Sequence, residues 1–152
     1  ALARCGGLRC ESEAPLHRWT DVDLENSRIL VTSPKTAHHI GKGTRTIPIR
    51  PRLRPNLEAA YEQGPDGNAY LISFCGGKPR NLRTRLAKIM QRAGVPPWPK
   101  LFQHLRSSCQ TDLEDEFPSH VVCSWMGNSE QVARAITCRS PTATLRRQLR
   151  GC

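Results

Sequence analysis

The stretch Lys100–Ser108, KLFQHLRSS, holds residue types that can do chemistry at a useful spacing. Gln103 and Arg106 are three apart and share one helix face, while Leu101, Phe102 and Leu105 supply an apolar stripe at helical spacing. A guanidinium aimed into a cleft beside another polar group can hold an oxyanion through forked, charge-assisted hydrogen bonds. Taken alone, Arg106 is equally a solvated charge on an amphipathic helix, so its meaning depends on groups elsewhere in the chain. Cysteine and histidine chemistry offers less. The seven cysteines (Cys5, Cys10, Cys75, Cys109, Cys123, Cys138 and Cys152) are odd in number and scattered, with no C-x-x-C. Neither a zinc site nor a disulfide framework follows, and buried or inert thiols in a reducing cytoplasm are expected. His38-His39 has no partner cluster, so no metal and no cofactor is expected.

Charge narrows the partner. The 152 residues carry a formal net charge of +10, and the pI is near 9.8. Residues 136–152 hold Arg139, Arg146, Arg147 and Arg150 and no acid, which supplies +4 and leaves a basic body of +6. A polyanion partner is implied, either nucleic acid or an anionic membrane face. No stretch approaches the ~18 to 20 apolar residues of a bilayer span, and no signal-peptide pattern opens the chain. The length fits one domain with a real core. The opening ALARCGGLR resembles the end of a helix already under way, so the chain is expected to be a fragment lacking an N-terminal portion.

The elements that must position these groups come out mostly helical, with a small antiparallel sheet in the N-terminal half. A helix is expected from Ser12, with Glu13, Leu16 and Trp19 on its inner edge and Pro15 in its first turn. Asp21–Asp23 and Glu25–Ser27 have turn chemistry. Arg28–Thr32 and Arg45–Arg50 are expected strands forming a hairpin-like unit, with Lys35 near its turn. Pro51–Gln63 is an expected helix burying Leu53, Leu57, Ala60 and Tyr61, and Tyr70–Phe74 a short strand. Asn81–Ala93 is expected to be a helix with Leu82, Leu86, Ile89 and Met90 inward and Arg83, Arg85, Lys88 and Arg92 outward, a basic face suited to a polyanion. Helices follow at Lys100–Glu116, His120–Met126 and from Glu130, the last capped by Ser129.

Four segments together resemble the catalytic domain of tyrosine recombinases, the phage-integrase type of DNA breaking and rejoining enzyme. GGLRCESE followed by LHRWTDVD resembles that family's first arginine box, and SPKT followed by RTIPI its lysine hairpin. FQHLRSS resembles its H-x-x-R box, and VVCSWMGNS the segment usually ending L-G-H-S. The resemblance covers residues 1–135 and implies an α+β, mostly helical catalytic fold. It makes Arg9 and Arg106 the two catalytic arginines and Lys35 the hairpin lysine. Gln103 stands where histidine is common, and Asn128 where histidine or tryptophan is usual. Thr137, nine residues after Asn128, stands at the place of the nucleophilic tyrosine.

The resemblance implies attack of a tyrosine hydroxyl on a DNA phosphodiester, giving a 3′-phosphotyrosyl link and a free 5′-hydroxyl that later attacks back. The bond energy is conserved, so no cofactor is required. Arg9 and Arg106 would clamp the non-bridging oxygens as charge develops there, and Lys35 would protonate the leaving 5′-oxygen. Gln103 can donate to phosphate but cannot take a proton, a departure that slows chemistry by ~10²–10⁴-fold at most. Asn128 can donate a hydrogen bond to phosphate. Thr137 is the larger departure: its hydroxyl is far less acidic than a phenol of pKa near ~10, its reach is shorter, and no base is evident to activate it. Tyr61 and Tyr70 are expected packing residues.

From Ile136 the helical pattern gives way to an arginine-rich, proline-broken tail. Ala-Ile-Thr-Cys-Arg-Ser-Pro-Thr can be encoded GCC ATT ACC TGC AGG TCA CCG ACG. One inserted C after GCC turns this into Ala-His-Tyr-Leu-Gln-Val-Thr-Asp, with tyrosine at the required position. A single-base deletion before Ile136 is therefore expected, leaving 136–152 as an out-of-frame, disordered or non-native tail. The function expected is DNA strand breakage and rejoining in site-specific recombination or integration, with this chain inactive for want of the tyrosine. The alternative is a non-catalytic DNA-binding module of the same fold. The resemblance implies double-stranded DNA as partner, a tetramer on DNA for the intact family member, no membrane, and a bacterial cytoplasmic setting.

Overall fold

The computed structural model describes residues 1–34, 43–78 and 80–137, the last four of these as helical backbone only. Lys35 and His38-His39 lie outside the described residues, as does 138–152. Helix α1 (Leu2–Gly6) ends at Gly7, whose φ of 66° is left-handed. Strands β1 (Val22–Asp23), β2 (Arg28–Thr32) and β3 (Thr44–Pro48) form an antiparallel sheet in the order β1-β2-β3. Five helices follow: α2 (Arg54–Glu62), α3 (Leu82–Arg92), α4 (Leu101–Glu116), α5 (Ser119–Met126) and α6 (Glu130–Thr137). The mostly helical α+β expectation holds.

Alternation sets the sheet's inner face. Ile29 and Val31 of β2 are buried while Arg28, Leu30 and Thr32 face out. In the β2–β3 register, Ile29 pairs with Ile47 and Val31 with Arg45, so Arg45 lies opposite a buried valine. The inner face packs with Leu8, Leu53, Leu57 and Leu71. Cys109, Leu113, Val122 and Met126 form a second core between α4 and α5. Helix α1 lies on α4, where Arg4 pairs with Asp112 at 2.7 Å, and α5 packs beside β3.

Several local expectations are corrected. The helix expected from Ser12 is instead two 3-10 turns, Ala14–Leu16 and Trp19–Asp21. His17 between them is extended (φ −71°, ψ 137°), because its carbonyl accepts from Leu71 N and Arg18 bridges Tyr70. That single bridge and a 3-10 turn at Ser73–Cys75 replace the strand expected at Tyr70–Phe74. Val22 and Asp23, expected in a turn, pair with Ile29 and Arg28. Ile89 is 52% and Tyr61 66% exposed rather than inward, although Tyr61 stacks edge-on against Trp19 at 5.1 Å. Among the described residues, no helix is long and apolar enough to cross a membrane. The five cysteines described are free thiols.

Candidate active site

Three carbonyls in a row close α5, and each accepts from a different arginine. Arg45 Nε donates to Trp125 O at 2.7 Å, Arg106 Nη2 donates to Met126 O, and Arg9 Nη2 donates to Gly127 O at 3.0 Å. The last carbonyls of a helix lack intrahelical partners and carry the negative end of its dipole, so this terminus attracts cations. The chain brings the arginines there from three directions. Arg9 follows the turn at Gly7, Arg45 comes from the inner face of β3, and Arg106 from the second turn of α4. Gly127 closes α5 with a left-handed φ of 63°, and a Cβ on it would sit 3.2 Å from Arg45 Cδ.

One carboxylate organises the cluster from below. Glu13 is fully buried and takes Arg45 in a fork, Oε1 from Nη1 at 2.9 Å and Oε2 from Nη2 at 2.7 Å. It also takes Arg9 Nη1 at 2.6 Å and the Arg9 backbone N–H at 2.9 Å. Burial pushes its carboxyl up, but the hydrogen bond and charge of Arg45, the Arg9 N–H and the Ser33 hydroxyl outweigh that and hold it at about 2. Glu13 O in turn meets His17 Nδ1 at 2.7 Å, and among the described residues His17 Nε2 is buried without a hydrogen-bond partner.

Arg106 also donates through Nη1 to Gly7 O and through Nη2 to Asn128 Oδ1 at 3.3 Å. Burial, then the charges of Arg9 and Arg45, lower its pKa to about 10 against the opposing pull of Glu13, so it remains a cation at neutral pH. Three guanidiniums around one carboxylate leave an excess of positive charge. Such a site has the charge to hold an anion.

The structure brings Arg9, Arg106 and Asn128 together. Gln103 lies exposed on the first turn of α4. Thr137 is the last residue of α6, its side chain outside the described set. Arg83, Arg85, Lys88 and Arg92 are all exposed on α3, which Asn81 caps by accepting from Arg83 N and Thr84 N. Arg85 stacks over the Phe74 ring at 4.0 Å. An apolar groove lined by Leu57, Leu86, Ile89 and Phe102 includes none of Arg9, Arg45 and Arg106. Among the described residues, no three His, Cys, Asp or Glu side chains converge as a metal site.

Sequence reasoning missed Arg45, Glu13 as its partner, and Gln110. A signal existed for Arg45: it stands two before Ile47, on the apolar face of its strand, where a charge needs a buried partner.

With this geometry in place, solved structures identify the architecture. The crystal structure of XerA recombinase matches 99% of this chain at TM-score 0.77 and 18% identity. The chain has the tyrosine-recombinase catalytic fold. The Tn1549 transposon integrase in complex with transposon right end DNA matches 98% of the chain at TM-score 0.71 and 16% identity. The same integrase with circular intermediate DNA matches 98% at TM-score 0.67 and 18% identity. The chain spans only 55% of the XerA chain and 56% of the integrase chains. No protein-family model and no curated protein matches the sequence.

Proposed function

We propose that this chain is the catalytic-fold part of a DNA breaking and rejoining protein, and that Arg9 and Arg106 grip a DNA phosphodiester. The observation that carries this reading is the pair of guanidiniums fixed on adjacent carbonyls within a recombinase fold. Among the described residues, three side-chain hydrogen bonds anchor each guanidinium. Each five-donor fork therefore keeps N–H groups for a ligand. Donors held in place before the ligand arrives stabilise charge on phosphate oxygens without further reorganisation. The net charge of +10 and the exposed cations of α3 suit a duplex backbone.

In the reaction this fold implies, a tyrosine at position 137 attacks the phosphorus and forms a 3′-phosphotyrosyl link. The 5′-oxygen leaves with a proton from Lys35 and later returns to rejoin the strand. Gln103 donates to the phosphate without exchanging protons. Because Thr137 offers no phenol, the chain as it stands binds DNA and does not cut it. Residues 136–152 as an out-of-frame tail, and a homotetramer on two duplexes, belong to the same proposal. The second reading, a non-catalytic DNA-binding module, draws on the same Thr137 and on Gln103 lacking an acid–base function.

A pool of nicked duplexes that traps covalent adducts separates the two, using the full chain and its Thr137→Tyr variant. Salt-sensitive binding by the chain itself, with a denaturant-resistant adduct only from the variant, is expected. Absence of salt-sensitive binding overturns the DNA reading. Binding by both proteins with an adduct from neither favours the non-catalytic module.

A further inference from the structure

Gln110 is a fully buried amide one helical turn beyond Arg106, on the face of α4 that also buries Cys109 and Leu113. It stands in a chain of three hydrogen bonds. Gln110 Nε2 donates to Glu114 Oε1 at 2.9 Å, Asn128 Nδ2 donates to Gln110 Oε1 at 2.7 Å, and Arg106 Nη2 donates to Asn128 Oδ1 at 3.3 Å. The ends of this chain fix its direction. A carboxylate only accepts, so Gln110 turns its NH2 to Glu114 and its oxygen to Asn128. A guanidinium only donates, so Asn128 turns its oxygen to Arg106 and its NH2 back to Gln110. Every link has one permitted orientation.

We propose that Gln110 is a positioning residue: by holding the Asn128 amide with its oxygen toward Arg106, it aims the Arg106 guanidinium at the bound phosphodiester. The inference rests on the phosphodiester reading above and changes the part played by Asn128. That side chain is an acceptor steadying Arg106 rather than a donor to the ligand. Without Gln110 the amide keeps, among the described residues, only its bond to Arg106, so its oxygen is no longer held in place against Nη2 and the long 3.3 Å link loosens. A hydrogen bond to a charged group is among the stronger ones in a protein, and losing it releases Arg106 from one of its three anchors.

Two substitutions in the full chain separate positioning from mere burial. Gln110→Met fills the same volume and removes the buried amide, and the half-buried Asn128 and Glu114 keep access to water, so the melting temperature falls only slightly. Gln110→Glu keeps an acceptor for Asn128 Nδ2 but buries a second carboxylate beside Glu114, so the melting temperature falls. Affinity for a short DNA duplex, measured by anisotropy at fixed salt, is expected to run the opposite way. The Met variant binds about tenfold more weakly, and the Glu variant binds within about twofold of the native chain. Proton exchange of the Asn128 side-chain NH2 by NMR reads the relay without DNA: slow in the native and Glu proteins, fast in the Met variant. Native affinity or slow Asn128 exchange in Gln110→Met overturns the proposal, as does affinity that merely follows stability across the series. If the native chain does not bind duplex, the phosphodiester reading fails and the exchange measurement alone decides the relay. If Gln110→Glu does not fold, the Met variant decides both readouts.

Discussion

Arg9 and Arg106 donate to neighbouring carbonyls, Arg9 to Gly127 O at 3.0 Å and Arg106 to Met126 O. Two like charges are thereby held side by side before any ligand arrives. Their repulsion contributes to the lowered pKa of Arg106. The negative end of α5 and the Glu13 carboxylate offset it. On the proposed reading, an incoming phosphodiester relieves what remains.

The turn that carries those carbonyls depends on Gly127. Gly127→Ala forces a left-handed φ of 63° on an L residue and places a Cβ 3.2 Å from Arg45 Cδ. The backbone effect alone costs about 1–2 kcal/mol, or a fall in melting temperature of about 2–8 °C for a domain of this size. Gly67→Ala is the control: its φ is 72° and a Cβ there meets nothing within 4 Å. Thermal unfolding should show the larger loss at Gly127, the excess reporting displacement of Arg45.

Arg45 is expected to matter as much as either motif arginine. Arg45→Ala leaves Glu13, buried and charged, with Arg9 as its remaining ion-pair partner among the described residues, and removes the donor to Trp125 O. Breaking a buried pair of this kind costs about 3–5 kcal/mol. Denaturant unfolding should show a loss in that range. Arg45→Lys recovers only part of it, because an ammonium cannot fork across both oxygens of Glu13.

Glu13 also sets an acid limit. Its folded pKa of about 2 lies below the ordinary 4.5, so the unfolded chain binds this proton more readily than the folded one. The stability it contributes is fully present above about pH 4.5 and is lost as pH falls toward about 2. Its size is about 3 kcal/mol. Unfolding measured from pH 6 downward should show native and Glu13→Gln proteins far apart at pH 6 and converging as pH falls from about 4.5 to about 2.

The legible parts of this molecule were those carried by local sequence. Arg9 and Arg106 stand in short motifs, and the sheet strands and long helices follow from periodicity. The helix expected at Ser12 failed because its pattern competes with a distant partner: His17 and Arg18 bond Leu71 and Tyr70 across the chain. Arg45 was passed over as one residue of a strand, since its partners lie at Glu13 and Trp125, the latter 80 residues away. Gln110 looked like an ordinary helix residue until the fold placed Asn128 beside it. Local pattern places arginines on elements, and tertiary contact decides what holds them.

On the proposed DNA reading, helix α3 is expected to supply a separable contribution to binding. Arg83 and Lys88 are exposed and away from the α5 terminus in sequence. If each contacts a phosphate, Arg83→Ala should lower affinity evenly across duplex sequences and reduce the salt slope by about 1. Filter binding over a series of salt concentrations reads both effects.

The most direct test of the central claim compares the native chain with Arg9→Gln for duplex affinity against salt, with circular dichroism to verify the fold. The arginine pair gripping a phosphodiester predicts at least about tenfold weaker binding and a salt slope shallower by about 1 in the variant. A folded Arg9→Gln protein with native affinity and native slope would contradict the account.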